Sequence, residues 1–329
     1  MKKHLAFFLM CCMLFTLCGC GPASQTEPAA ELQELTVLLD WFPNTNHTGL
    51  YVAQDQGYYQ QAGLEVKIVQ PAEGGTAQLV AAGKGDFGIS YQEEVTAARS
   101  QDVPVLAIAA IIQHNTSGYA SPADKNIKTP RDFAGKTYGG WGSPTEEALL
   151  KSLMDKYDAD FSKVKIVNIG AADFFASMEK NADFSLIFEG WTGIEAQQKN
   201  IDLNFIPLRD EGDTFDFYTP LIITNEETAQ KNPALVRKFM QATSRGYQYA
   251  MAHPEEAAEI LLAKVPELDR ELVLKSQQYL KDQYQSDAPR WGEMKKEVWQ
   301  AYADFMFKNG LIEKKIDPEK AFSNQFLPE

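Results

Sequence analysis

Within one short stretch, Trp41-Phe42-Pro43-Asn44-Thr45-Asn46-His47, the chain gathers an indole, two primary amides and an imidazole. That set suits a flat heterocycle, because the indole offers a face for stacking while the amides and imidazole offer donors and acceptors to the ring edges. Tyr91 and Gln92 repeat the theme after an apolar run, Trp141 stands between two glycines, and Glu189-Gly190-Trp191 sets an acid beside another indole. A carboxylate at Glu189 can accept two hydrogen bonds from an amidine-like edge, such as an exocyclic amine beside a protonated ring nitrogen. Each residue also has a plainer reading. Trp41 and Phe42 can be core, His47 a surface cap, Trp141 a packing residue and Glu189 the acid at a helix start. The four histidines show neither metal-ligand spacing nor a Ser-His-Asp arrangement, so no catalytic residue, metal or cofactor is expected.

These side chains must be held by strand ends and helix starts. Residues 35–39 and 64–69 read as strands, as do 84–91 and the apolar run 105–112, whose lack of alternation suits a strand buried on both faces. The loop 40–49 then falls at the C-terminal end of the first strand, before a helix from Leu50 that ends near Gly57 or Gly63, and Tyr91 falls at the end of another strand. That edge is where open α/β sheets bind ligands. Gly74-Gly75-Thr76 reads first as a simple helix start, whose free N–H groups could also accept an anionic or polar ligand edge. Composition changes abruptly at 113–120, the first crossing between two lobes. Beyond it, Ser143 fits an N-cap, Pro144 the first helical position and Glu146 the capping-box acid, which holds Trp141 on the loop before a helix. Residues 164–168 and 182–188 read as strands, 174–180 as a helix, and 215–224, which includes Tyr218, as an extended return crossing. From 225 onward the pattern is helical, at 233–253, 256–265, 269–284 and 293–310, packing around the first lobe.

Composition excludes several classes. The 31 basic and 45 acidic residues give a net charge of −14, the reverse of a nucleic-acid-binding footprint. A basic Met1-Lys2-Lys3-His4, an apolar stretch 5–17 too short to span a bilayer, and Leu17-Cys18-Gly19-Cys20 have the form of a secretory signal over 1–19. The tetrapeptide resembles a bacterial lipobox, in which Cys20 would be acylated. An ordinary signal peptide or an uncleaved anchor is the alternative. All four cysteines, Cys11, Cys12, Cys18 and Cys20, lie in this segment, so the remainder holds no disulfide or cysteine metal site. Residues 20–33 read as a flexible tether. No later apolar run approaches membrane-spanning length. The chain beyond the tether is long enough for two α/β lobes, one from 34–117 with 223–329 and one from 118–222.

Together these stretches resemble the extracytoplasmic solute-binding proteins of ABC importers, in the group sharing the NMT1/THI5-like domain. The resemblance is carried by Leu39-Asp40-Trp41-Phe42-Pro43 with His47, by Gly57-Tyr58-Tyr59 and Gly63-Leu64-Glu65-Val66, and by Gly83-Lys84-Gly85-Asp86-Phe87-Gly88. The loop 140–144, Phe188-Glu189-Gly190-Trp191 and Asn232-Pro233-Ala234-Leu235-Val236-Arg237-Lys238-Phe239 continue it over nearly all of the chain after the signal. It implies an α/β, two-lobed periplasmic-binding-protein-like (type II) fold with two crossover strands and a cleft that closes on ligand. Within the group, the segments are similar to proteins that bind a thiamine-precursor aminopyrimidine of the formylated or hydroxymethyl type. The expectation is that Trp41, Asn44, His47 and Tyr91 line one wall and Trp141, Glu189, Trp191 and Tyr218 the other, with Glu189 and Asn44 meeting the ring edge. The resemblance also implies a permease and its ATPase as partners, a lipid anchor at Cys20 on the extracytoplasmic face of a bacterial membrane, and a monomer.

Other ligands fit the same resemblance, since a fold does not fix its ligand. Relatives bind flavins such as riboflavin, sulfonates such as taurine, or nitrate. An acid at Glu189 would repel an anion, which ranks pyrimidine first, flavin second and anions third. The pyrimidine synthases of this fold, as the family is understood, use a lysine for pyridoxal phosphate, a nearby histidine as a substrate and a cysteine cluster for iron. The corresponding segment here, Gly88-Ile89-Ser90-Tyr91-Gln92-Glu93-Glu94, contains neither lysine nor histidine.

Overall fold

The computed structural model describes residues 32–70, 75–170 and 172–329. The expected signal peptide, Cys20 and the tether up to residue 31 lie outside these residues, as does Gly74. Ten strands occur among the described residues: β1 (Gln33–Leu38), β2 (Leu64–Val69), β3 (Phe87–Ser90), β4 (Val105–Ala110), β5 (Ser117–Pro122), β6 (Thr137–Gly140), β7 (Lys165–Asn168), β8 (Phe184–Phe188), β9 (Leu203–Pro207) and β10 (Leu221–Asn225). They form two five-stranded sheets, ordered β2-β1-β3-β10-β4 and β7-β6-β8-β5-β9.

The two sheets repeat one pattern. In each, three strands run parallel, while the strand next to the third arrives from the other lobe and runs antiparallel to both neighbours: β10 between β3 and β4, and β5 between β8 and β9. The chain therefore crosses between lobes twice, directly after β4 and directly before β10. All six β4 positions are buried, as a continuous apolar run between two covering layers demands. The C-terminal ends of β1, β3, β6 and β8 are followed by Asp40, Tyr91, Trp141 and Glu189, which brings these loops toward one cleft.

Several boundaries differ from the sequence expectation. β1 begins at Gln33, inside the expected tether, because the Gln33 N–H already donates to the Gly63 carbonyl at 2.9 Å. Ser117 already pairs with Phe188 in the second sheet, and Leu221 and Ile222 with Ser90 and Ile89 in the first, so both crossings come slightly earlier than 117/118 and 222/223. The helix expected from Leu50 is two helices, Thr48–Asp55 and Tyr58–Gln61, because Gly57 turns the chain in the left-handed region at φ 67°. β9 is a strand that periodicity did not reveal. The C-terminal helices also do more than cover the first lobe. Tyr302, Phe305 and Met306 of helix Lys296–Lys308 join the second-lobe core with Phe215, Phe217 and Leu208.

One packing contact fixes the site loop in place. The helix Pro233–Ala252 presents Val236, Phe239, Met240 and Tyr247 to the first-lobe core and crosses helix Thr48–Asp55 at two glycines. A Cβ on Gly246 would lie 2.0 Å from the Gly49 carbonyl oxygen, so only glycine permits this approach. Tyr247 then reaches over the crossing and donates its hydroxyl proton to the Asn46 carbonyl at 2.7 Å.

Candidate functional site

The loop after β1 is ordered from within. Asn44 caps a single 3-10 turn, Thr45–His47, with its side-chain oxygen accepting the Asn46 N–H at 2.9 Å, while its amide NH2 donates to the Phe42 carbonyl at 3.0 Å. His47 closes the box from the other side, its Nδ1 accepting the Asn44 N–H at 3.2 Å. An Nδ1 that accepts cannot carry a proton, so the hydrogen sits on Nε2 and is donated to Asp40 Oδ1 at 2.7 Å. Burial pushes the Asp40 carboxyl up, but the hydrogen bond from His47, with a further one from Tyr91, outweighs it and holds the group below its ordinary value. Burial and the Asp40 charge push the Tyr91 phenol strongly up, which keeps its proton in place as a donor.

The facing wall is built by helix starts. Ser143 Oγ accepts the Thr145 N–H at 3.2 Å, and Glu146 takes the Trp141 N–H at 2.8 Å and the Tyr138 hydroxyl at 2.8 Å. This capping box, with Pro144 in the first turn, is the one expected from sequence, and it presents Trp141 at 47% exposure. Across the gap stands Trp41, 38% exposed, with its ring centroid 5.3 Å from that of Trp141 in edge contact. Beyond β8 the chain makes one π-helical turn, Glu189–Gly193, before helix Ile194–Gln198.

Between the lobes lies a cleft of about 400 Å³. Of the residues expected from sequence, Trp41, Asn44, Tyr91, Trp141 and Trp191 line it; His47, Glu189 and Tyr218 do not. His47 is fully buried behind the wall and acts on the cleft only through Asp40 and Asn44. Glu189 faces away because side chains alternate along an extended chain: Phe188 points into the cleft, so the next residue points out. Its carboxylate instead accepts the Tyr279 hydroxyl at 2.6 Å and borders an outer groove with Gly193 and Asn200. Tyr218 is core: its N–H donates to Gln92 Oε1 at 2.8 Å, its hydroxyl accepts the Lys295 N–H at 2.8 Å, and the following Thr219 and Pro220 reach the cleft in its place. Asn44 lines the wall, although both ends of its amide are already committed to its own loop.

The cleft also contains residues that sequence reasoning did not select. Asp40, Phe42, Thr116, Asp173, Phe174, Phe188 and Glu195 all line it. Asp40 carried a usable signal, an acid directly after an apolar strand with a histidine seven residues on. For Glu195 only the π turn decides that it faces inward, and its carboxylate is paired with Lys199 at 2.7 Å. At the helix start at Thr76 the Ala77 N–H already donates to Glu94 Oε1 of the same chain, at 3.1 Å.

Comparison with known proteins agrees with this architecture. The aliphatic sulphonate binding protein SsuA of Escherichia coli superimposes with a TM-score of 0.71 over 90% of this chain and 94% of that one, at 16% identity, which identifies the fold as that of periplasmic binding proteins. The formylaminopyrimidine-binding protein of Halalkalibacterium halodurans is 26% identical over 98% of this chain and 99% of its own length. A 4-amino-5-hydroxymethyl-2-methylpyrimidine phosphate synthase of Legionella pneumophila is also 26% identical, over 90% of this chain and 92% of its own. The NMT1/THI5-like pattern matches residues 44–257, from the capped loop after β1 to the C-terminal helices, and the chain belongs to that family.

Proposed function

We propose that this protein is the extracytoplasmic solute-binding component of an ABC importer and takes a thiamine-precursor aminopyrimidine into the interlobe cleft. The observation that carries the reading is the chemistry of the walls. They bear the rings of Trp41, Phe42, Tyr91, Trp141, Phe174, Phe188 and Trp191 and the carboxylates of Asp40, Asp173 and Glu195, with no Lys, Arg or His among the described lining residues. A flat ring that donates hydrogen bonds from an exocyclic amine suits such walls. A sulfonate or nitrate would meet these acids and, among the described lining residues, no cation to receive it, since Lys199 behind the wall is already paired with Glu195. Asp40 takes the role that sequence alone gave to Glu189: its carboxylate is held ionised, with Oδ1 bound to His47.

A cleft whose described lining holds no lysine, histidine or cysteine supports binding over synthase chemistry. In this role the protein works as a monomer tethered through acylated Cys20 at the outer face of a bacterial cell membrane, and it delivers ligand to a permease driven by an ATPase. Stable attachment would need several acyl chains, since one anchors only marginally.

A thermal-shift panel of formylated and hydroxymethyl aminopyrimidines, riboflavin, taurine and nitrate tests the ligand, because a compound that binds only the native state raises the melting temperature. The pyrimidines are expected to give the largest shift, and calorimetry is expected to show affinity falling about tenfold or more in Asp40→Asn. A panel in which riboflavin or taurine shifts the protein and neither pyrimidine does would overturn the assignment.

A further inference from the structure

Helix Arg270–Leu280 packs on the first lobe and faces the second. Leu280 belongs to the core of Leu50 and Tyr247, and Val273 to the cluster of Tyr51 and Leu261, so the helix moves with the first lobe. On the same face, three residues after Val273 and four before Leu280, the fully buried Ser276 donates its hydroxyl proton to the Gly190 carbonyl and lies 2.6 Å from Thr45 Oγ1. A hydroxyl has one proton to give, so Thr45 is the donor to Ser276, and the order is Thr45 to Ser276 to Gly190. Three residues further along the same face, Tyr279 donates to Glu189 Oε2 at 2.6 Å. The approach is close: a Cβ on Gly190 would lie 3.1 Å from both Leu280 Cδ2 and Tyr279 Cδ1.

Thr45 and Gly190 line opposite walls of the cleft, one in each lobe. We infer that Ser276 is a positioning residue that sets the spacing of the two walls, with Tyr279 gripping Glu189 beside it, so that the pair acts as a clasp on lobe closure. The clasp also gives Glu189 a role consistent with its pointing away from the cleft. The effect on ligand rests on the cleft being the binding site; the effect on lobe spacing does not.

The first test therefore uses the ligand-free protein. Small-angle scattering of the wild type, Ser276→Ala and Tyr279→Phe, each checked for native circular dichroism, is expected to show a larger radius of gyration in both variants. Unchanged scattering in the variants would overturn the clasp, and Tyr279→Phe carries the test alone if Ser276→Ala does not fold. The second test uses the formylated aminopyrimidine. Loss of one hydrogen bond made across the closed lobes is expected to raise Kd about tenfold in Ser276→Ala, mostly through faster dissociation. Wild-type Kd and dissociation rate in Ser276→Ala would overturn the positioning role even if the melting temperature fell. If the wild type does not bind the pyrimidine, the ligand assignment fails while the scattering still decides the clasp.

Discussion

His47 Nε2 lies 2.7 Å from Asp40 Oδ1, with the imidazole shut off from solvent and the carboxylate 6% exposed. The pair turns a loop residue into a fixed acceptor on the cleft wall. His47→Ala leaves that buried carboxylate with Tyr91 as its remaining side-chain donor, and a hydrogen bond to a charged group contributes about 1.5–3 kcal/mol. Urea unfolding at neutral pH is expected to show a loss of this order. The Asp40 carboxyl is held below its ordinary 3.8, so its contribution is fully present above that value and is lost as pH falls through the lower folded one. The cost of His47→Ala is therefore expected to shrink on acidification, and a cost that stays constant with pH would contradict the pairing.

Trp141 meets Trp41 at 5.3 Å across the cleft and is half exposed, so it contributes little to the core. Trp141→Ala is expected to leave the melting temperature nearly unchanged while weakening ligand affinity about tenfold, the scale of a lost aromatic contact. Ligand entering between the two indoles is also expected to change the tryptophan emission of the wild type and to leave that of Trp141→Ala much less altered. Equal affinity in the two proteins would remove Trp141 from the site.

Two groups make stability fall as pH rises, in different windows. His114 donates from both nitrogens, to Asp216 at 2.6 Å and Asp287 at 2.9 Å, and the Asp216 hydrogen bond leads in pushing its pKa up from 6.5 to about 9. Raised above its unfolded value, it stabilises fully below 6.5 and loses that contribution as pH climbs through about 9. Burial pushes the Glu93 carboxyl from 4.5 to about 7, against a hydrogen bond from Tyr302 and with the Glu146 charge adding to the rise. The native state therefore holds the extra proton between those values, and stability declines from 4.5 through about 7. Melting curves across pH are expected to lose the lower decline in Glu93→Gln and the upper one in His114→Gln.

Gly246→Ala would set a methyl group 2.0 Å from the Gly49 carbonyl oxygen, which is backbone and cannot turn aside. Overpacking of this kind costs about 1–3 kcal/mol or more. Because the crossing also seats Tyr247 on the Asn46 carbonyl, ligand affinity is expected to fall together with the melting temperature. A variant as stable as the wild type would show that the two helices separate easily.

The local elements were largely written in the sequence. Helix Phe174–Lys180 and strand Leu64–Val69 have the boundaries that periodicity predicts, and the Ser143, Pro144 and Glu146 start forms as its spacing requires, because each depends on residues within a turn or two of one another. Strand Leu203–Pro207 escaped notice, since none of its positions but Ile206 is buried and the alternation that marks a strand is weak there. The loops that meet at the cleft were also legible, because strand ends of α/β sheets collect ligand-facing residues.

Tertiary structure decided which side chains face that cleft. Glu189 and Phe188 are adjacent in sequence, yet strand alternation and the π turn send one to Tyr279 and the other into the cleft. His47 reads as a site residue until Asp40 is found against its Nε2, and Tyr218 until Gln92 and Lys295 hold it in the core. Sequence patterns encode periodicity, which places a residue on an element. The direction of a side chain at the end of that element depends on partners far away in the chain, as Ser276 shows by joining Thr45 to Gly190.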